Sequence, residues 1–193
     1  MENQVRISDS TINYDIVHRN IKYPRLEFKT GRLLLVLPKG HTDYGDLIEK
    51  HQDWILKRSS EIAAALEQAQ KKKLDLERTD EELKQMIGCI VENISSDLKI
   101  NLNNIYFRSM KSKWGSCSPN KNLMINTLLK YLPDNLIEYV IFHEMIHLKE
   151  RKHNEHFWKI ISTKFDNYEE KETELFEYWF LIQKVVNSSH ERS

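Results

Sequence analysis

The first forty residues alternate in character. Ile12, Tyr14 and Ile16 interleave with Asn13, Asp15 and Val17, the two-residue period of a half-buried strand. Residues 25–29 and 32–37 form two more short runs. Thr30-Gly31 between them predicts a tight hairpin, because glycine reaches positive φ without strain. These runs predict a β-meander over about 11–40, closed by Pro38-Lys39-Gly40. From 43 to about 73 the period lengthens: Leu47, His51, Trp54, Ile55 and Ile62 recur at helical spacings. Thr79-Asp80-Glu81-Glu82 is a capping box, in which the Thr79 hydroxyl accepts from the Glu82 amide and Glu82 reaches back. It predicts a second helix to about 98, with Leu83, Met86, Ile87, Ile90 and Ile94 inward. Residues 104–110 and 122–126 read as short strands around a polar stretch, 111–121. Pro133-Asp134-Asn135 opens a third helix, with Asp134 or Asn135 as its N-cap. A last helix over about 169–186 carries Leu175, Phe176, Trp179 and Phe180 as packing, and 187–193 reads as a frayed tail.

The elements sum to an α+β fold: an N-terminal β-meander, helices over about 43–98, and a C-terminal part over about 104–186 in which a small sheet flanks a central helix. No internal repeat and no Pro/Gly/Ser linker interrupts the chain, so a single domain over 1–193 is expected.

Composition narrows the class. The chain has 29 Lys+Arg against 29 Asp+Glu and no net charge, which argues against coating nucleic acid or membrane by bulk electrostatics. Cys89 and Cys117 are too few and too far apart for a disulfide framework. They read as reduced thiols, and with no apolar segment near the ~20 residues of a membrane span, a soluble cytoplasmic protein is expected. The Lys71-Lys72-Lys73 run reads as a solvated helix end.

The chemistry concentrates in His143-Glu144-Met145-Ile146-His147, an HExxH motif inside the third helix. Histidines four apart lie one above the other on one helix face, so both imidazoles reach one tetrahedral zinc at about 2.0–2.1 Å. Glu144, beside the first ligand, can take a proton from water and deliver it to a leaving amine. A catalytic zinc needs a third protein ligand and an open fourth position. If the helix continued to His153, that residue would lie about 15 Å up the axis from His143. A turn after about Lys149 would return it to the site, and the segment offers no glycine to make one. His156, Glu170 and Glu174 compete for the same role.

Arg108-Ser109-Met110-Lys111-Ser112-Lys113-Trp114-Gly115-Ser116-Cys117-Ser118, followed by Asn126, Leu128, Pro133 and then the stretch from Tyr139 to Trp158 that carries HExxH and a Phe-Trp pair, resembles the YgjP-like metallopeptidase family. The resemblance implies a zincin-type metallohydrolase, distantly related to SprT-like and gluzincin peptidases. It also implies that the third zinc ligand is the histidine four residues before Phe157-Trp158, which is His153. Metzincins share the spacing from 147 to 153 but place a glycine where Glu150 stands here, and no Met-turn follows, so that class is rejected.

The segment around Trp114 has two readings. Arg108, Lys113 and Trp114 are candidate substrate-binding residues, cations for a carboxylate or phosphate beside a backbone that Gly115 leaves open. Alternatively, Trp114 plugs the core and Ser116 and Ser118 cap turns. Either strand, 104–110 or 122–126, is a candidate to pair with a substrate backbone. Cys117 as nucleophile or extra zinc ligand is disfavoured. The leading expectation is a zinc-dependent hydrolase of peptide or protein substrates. Two alternatives are a zinc hydrolase of a phosphoanhydride, and a nucleic-acid-associated protein in which Trp114 and its cations grip a single strand. Nucleic acid is not favoured, no membrane partner is expected, and the sequence leaves the oligomeric state open.

Overall fold

A computed structural model describes residues 3–29 and 31–190 of the 193, with side chains as far as Val185. Chain contacts divide it into two compact units, Met1–Lys71 with Gln183–Ser193, and Lys72–Ile182.

In the first unit, four strands, β1 (Asn3–Ile7), β2 (Ser10–Arg19), β3 (Arg25–Lys29) and β4 (Arg32–Pro38), precede two helices, α1 (Gly45–Lys50) and α2 (Gln52–Ala69). The N-terminal meander is present, with β1 added in front of the expected strands. Its order is β1-β2-β4-β3, and β2 pairs with β4 in parallel while the other pairs are antiparallel. β4 lies between two neighbours and buries five successive residues, Leu33 to Leu37, as a strand covered on both faces must. Ile7, Tyr14, Leu33, Leu35, Ile48 and Ile55 form its core. Gly31, at φ 86°, makes the β3–β4 turn as expected, whereas Thr30 lies outside the described residues. The single helix expected over 43–73 is broken at His51. That residue ends α1, and its ring Nδ1 bonds the Leu47 carbonyl at 2.8 Å.

The second unit holds α3 (Asp80–Leu98), strands β5 (Asn104–Arg108), β6 (Gly115–Cys117) and β7 (Asn122–Asn126), a short 3-10 turn, and helices α4 (Asp134–Ile146) and α5 (Glu155–Ser162). Helix α6 (Tyr168–His190) begins here and runs on into the first unit, so 187–190 continue a helix rather than fray. The capping box forms as expected, with Thr79 accepting from the Glu82 amide and Glu82 bonding back to Thr79. The sheet order is β5-β7-β6, parallel between β5 and β7 and antiparallel between β7 and β6.

Helix α4 is buried almost all round: Leu136, Ile137, Tyr139, Ile141, Met145 and Ile146 are fully buried, the pattern of a central helix rather than a surface one. Its N-cap is Pro133, and no side chain caps it, contrary to the assignment to Asp134 or Asn135. Asp134 is instead the first helical residue, and its carboxylate pairs with Arg78. The Arg78 guanidinium also donates to the carbonyls of Lys130 and Leu132 and meets Asp75 at 2.8 Å. One nearly buried cation thereby ties the entry of α3 to the entry of the helix that carries HExxH.

Candidate metal centre

His143 and His147 leave α4 on one face, at its last turn and C-cap. The chain then turns within seven residues. Leu148, Lys149 and Glu150 bond back to the carbonyls of Met145 and Ile146, and the Glu150 carboxylate accepts the Lys152 amide. No residue of this turn has positive φ, so it forms without a glycine. Asn154 then caps α5, accepting from the Phe157 amide at 3.0 Å.

The turn brings His153 back. Its Nε2 lies 3.0 Å from His143 Nε2 and 3.1 Å from His147 Nε2. His143 Nδ1 faces the Glu172 carboxylate at 3.3 Å, and His147 Nδ1 faces the Glu150 carbonyl at 3.1 Å. Both partners only accept, so each Nδ1 carries the proton, and in the neutral ring Nε2 then presents a lone pair. Lone pairs converging this closely repel unless a cation lies between them. Three nitrogens bound to one tetrahedral zinc at 2.0–2.1 Å would lie about 3.3 Å apart, close to the spacing found. Burial, then the neighbouring ring charges, lowers the pKa of His147 and His153, favouring the neutral form that ligates. These three histidines form the only metal-capable cluster among the described residues.

The aromatic residues expected as packing hold these rings. Phe157 stacks on His147 at 4.8 Å, and Trp158 is tilted over His153 and stacked on Tyr168. Glu170 and Glu174 are not at the site. Their neighbour Glu172 is, accepting from His143 and, at 2.6 Å, from the Tyr139 hydroxyl. Burial opposes the Glu172 charge, but the bonds from His143 and Tyr139 outweigh it and hold the carboxyl below its ordinary value. Desolvation and this acceptor push the Tyr139 phenol up.

Glu144 is half-buried and faces β6. Burial raises its carboxyl above the ordinary value, against His143, Lys113 and a hydrogen bond from the Cys117 amide, which pull it down. A Cβ placed on Gly115 would meet Glu144 Cγ at 2.8 Å, so this glycine exists for a close approach to a side chain of α4. Burial, with Glu144 nearby, pushes the Cys117 thiol up to about 11, which keeps it protonated.

Gly115, Ser116, Cys117 and Pro119 form one wall of a cleft of about 380 Å³, with the three histidines, Glu144 and Arg151 completing the lining. Arg108, Lys113 and Trp114 do not line it. Arg108 ends β5, exposed; Lys113 acts on Glu144 through its charge; Trp114 packs edge-on against Trp179 at 4.9 Å. Asn126, fully buried, holds this segment in place, donating to the carbonyls of Met110 and Lys113 and accepting from the amides of Met110 and Leu128.

A family model for the YgjP-like metallopeptidase domain matches residues 64–178, more than half of the chain and all of this centre. The chain belongs to the YgjP-like metallopeptidase family. It is thus a metallopeptidase-type hydrolase, and the family implies a metal ion. Among solved structures it is similar to the metallopeptidase zymogen of Methanocaldococcus jannaschii jannalysin, at 34% identity and TM-score 0.42, over 51% of this chain and 96% of that one. It is also similar to the metallopeptidase zymogen of Pyrococcus abyssi abylysin, at 20% identity and TM-score 0.40, over 45% and 87%. No curated protein matches. No helix of this YgjP-like chain, among the described residues, is long and apolar enough to cross a membrane.

Proposed function

We propose that this protein is a zinc-dependent peptidase in which His143, His147 and His153 hold the metal and Glu144 serves as general base and then general acid. The convergence of three imidazole Nε2 atoms, two of them fixed as lone pairs by partners on Nδ1, carries the reading. Three neutral imidazoles suit zinc, and among the described residues no fourth protein donor joins them, which leaves the open position a catalytic site needs. When bound, zinc supplies Lewis acidity toward water and the scissile carbonyl. The chain supplies the rest. Glu172 and the Glu150 carbonyl orient two of the rings. The Glu144 carboxylate, steadied by the Cys117 amide, takes the proton of the attacking water and returns it to the leaving nitrogen.

The substrate strand is assigned to β6. β7 is paired on both sides, so a strand over 122–126 has no free edge, and β5 lies at the far end of the sheet. The three-residue β6 is an edge strand that lines the cleft. Trp114 and Ser118 exchange ladder bonds with Asn126 and Asn122, so by alternation Ser116 also faces β7. Gly115 and Cys117 therefore turn their backbone groups outward, and an extended peptide can pair with those that Glu144 leaves free. The phosphoanhydride alternative requires Arg108 and Lys113 at the cleft, and neither lines it.

Elemental analysis of untagged protein tests the metal set: about one zinc per wild-type chain, with marked loss in His153→Ala. Zinc fully retained in that variant would overturn His153 as a ligand. Glu144→Gln keeps the zinc and loses peptide hydrolysis, and turnover at the wild-type rate would overturn the role of Glu144.

A further inference from the structure

Arg151 lies between the second and third histidines, in the short irregular segment that returns the chain to the site. It lines the same cleft as His143, His147, His153 and Glu144, together with Gly115–Cys117. Arg151 and His153 both line the cleft, and Lys152 between them does not. The acidic neighbour is committed elsewhere. The Glu150 carboxylate accepts the amides of Arg151 and Lys152 and a bond from Asn154, which builds the turn. Among the described residues no carboxylate pairs with the Arg151 guanidinium, which is exposed.

A guanidinium with no carboxylate partner thus stands in a cleft lined by a metal-capable cluster. It gains nothing from the histidines, and a bound dication would repel it. The charge becomes favourable when an anion enters the cleft, and a guanidinium grips a carboxylate through two parallel N–H donors. An extended chain lying along β6 would enter the cleft that Arg151 also lines. We propose that Arg151 is a specificity-determining residue, selecting substrates that place a carboxylate beside the scissile bond. The carboxylate comes either from an Asp or Glu side chain or from a free C-terminus. This rests on the peptidase reading of the same cleft.

The test uses the zinc-loaded full chain and three peptide sets of matched apolar sequence: acidic with an amidated C-terminus, neutral with a free C-terminus, and neutral with an amidated C-terminus. Binding to Glu144→Gln, followed by fluorescence anisotropy, is compared with binding to the double variant Glu144→Gln/Arg151→Gln. Cleavage is compared between wild type and Arg151→Gln. Wild type is expected to prefer one or both carboxylate-bearing sets, and Arg151→Gln to lower that preference about tenfold in both binding and kcat/KM. Arg151→Lys, which keeps the charge but not the fork, restores only part of it. The set whose advantage collapses identifies the source of the carboxylate. Equal binding of all sets, no binding of any, or a preference that survives Arg151→Gln would overturn the proposal. Carboxylate-selective, Arg151-dependent binding without cleavage of any peptide would instead overturn the peptidase reading and leave Arg151 as an anion selector.

Discussion

Gly115→Ala separates the position of Glu144, the proposed general base, from everything else in the site. The new Cβ would lie 2.8 Å from Glu144 Cγ, 3.2 Å from Cδ and 3.3 Å from Oε1. Non-bonded carbons settle at about 3.5–4.0 Å, so Glu144 Cγ must retreat by roughly 0.7 Å or more. Its backbone cannot supply the shift, because Phe142, Met145 and Ile146 lock α4 into the core. The side chain must leave its rotamer, at about 0.5–1.5 kcal/mol, and loosen its bond from the Cys117 amide, a charged hydrogen bond of about 1.5–3 kcal/mol when fully lost. The φ of Gly115 suits any residue, so alanine returns about 0.4–1 kcal/mol by restricting the unfolded chain. The net loss is then about 1–2 kcal/mol, a fall in Tm of several degrees. Misplacing a reacting group by nearly 1 Å costs on the order of 10²-fold in rate. Zinc content is expected to stay at the wild-type level, since no histidine depends on Gly115. The assay is kcat/KM on a fluorogenic peptide alongside elemental analysis and a thermal melt. Gly88→Ala is the control: its Cβ would meet nothing within 4 Å in the interior of α3, so it stabilises by about 0.5–1 kcal/mol and leaves kcat/KM alone. Wild-type kcat/KM in Gly115→Ala, or zinc lost in step with activity, would refute the reasoning.

Glu172→Ala removes the acceptor that fixes His143, and zinc affinity is expected to fall about 10–100-fold in a competitive chelator titration; unchanged affinity would show that the ring is held otherwise. Asp75 is held below the ordinary carboxylate value by the Arg78 amide, despite some desolvation, so protonating it costs the native state more than the unfolded one. Its contribution is present at neutral pH and lost as pH falls through the native value. Asp75→Asn should therefore unfold earlier than wild type in urea at pH 7, by about 1 kcal/mol, and the gap should close in acid. A gap that widened in acid would reverse the sign of this account.

The sequence carried what depends on local spacing. Histidines four apart on a helix must share a face, a Thr-x-x-Glu run before an apolar stripe must cap, and alternating Ile12, Tyr14 and Ile16 must form a strand, since each follows from a fixed backbone period. Tertiary structure decided what depends on distant segments meeting. Asp134 looked like an N-cap until Arg78 took its carboxylate. Three residues, Gly115–Cys117, were too short to read as a strand, yet the sheet order makes them an edge, and they line the cleft with the three histidines. Glu172 stands among several acidic residues on α6, and only the packing of that helix against Tyr139 and His143 singles it out. Arg151 reads as one charge in a run of charges until the turn aims it into the cleft. Periodicity places a residue on a face of its own element. Which charge, edge or ring that face will meet is set by chain closure over tens of residues, and no local pattern encodes it.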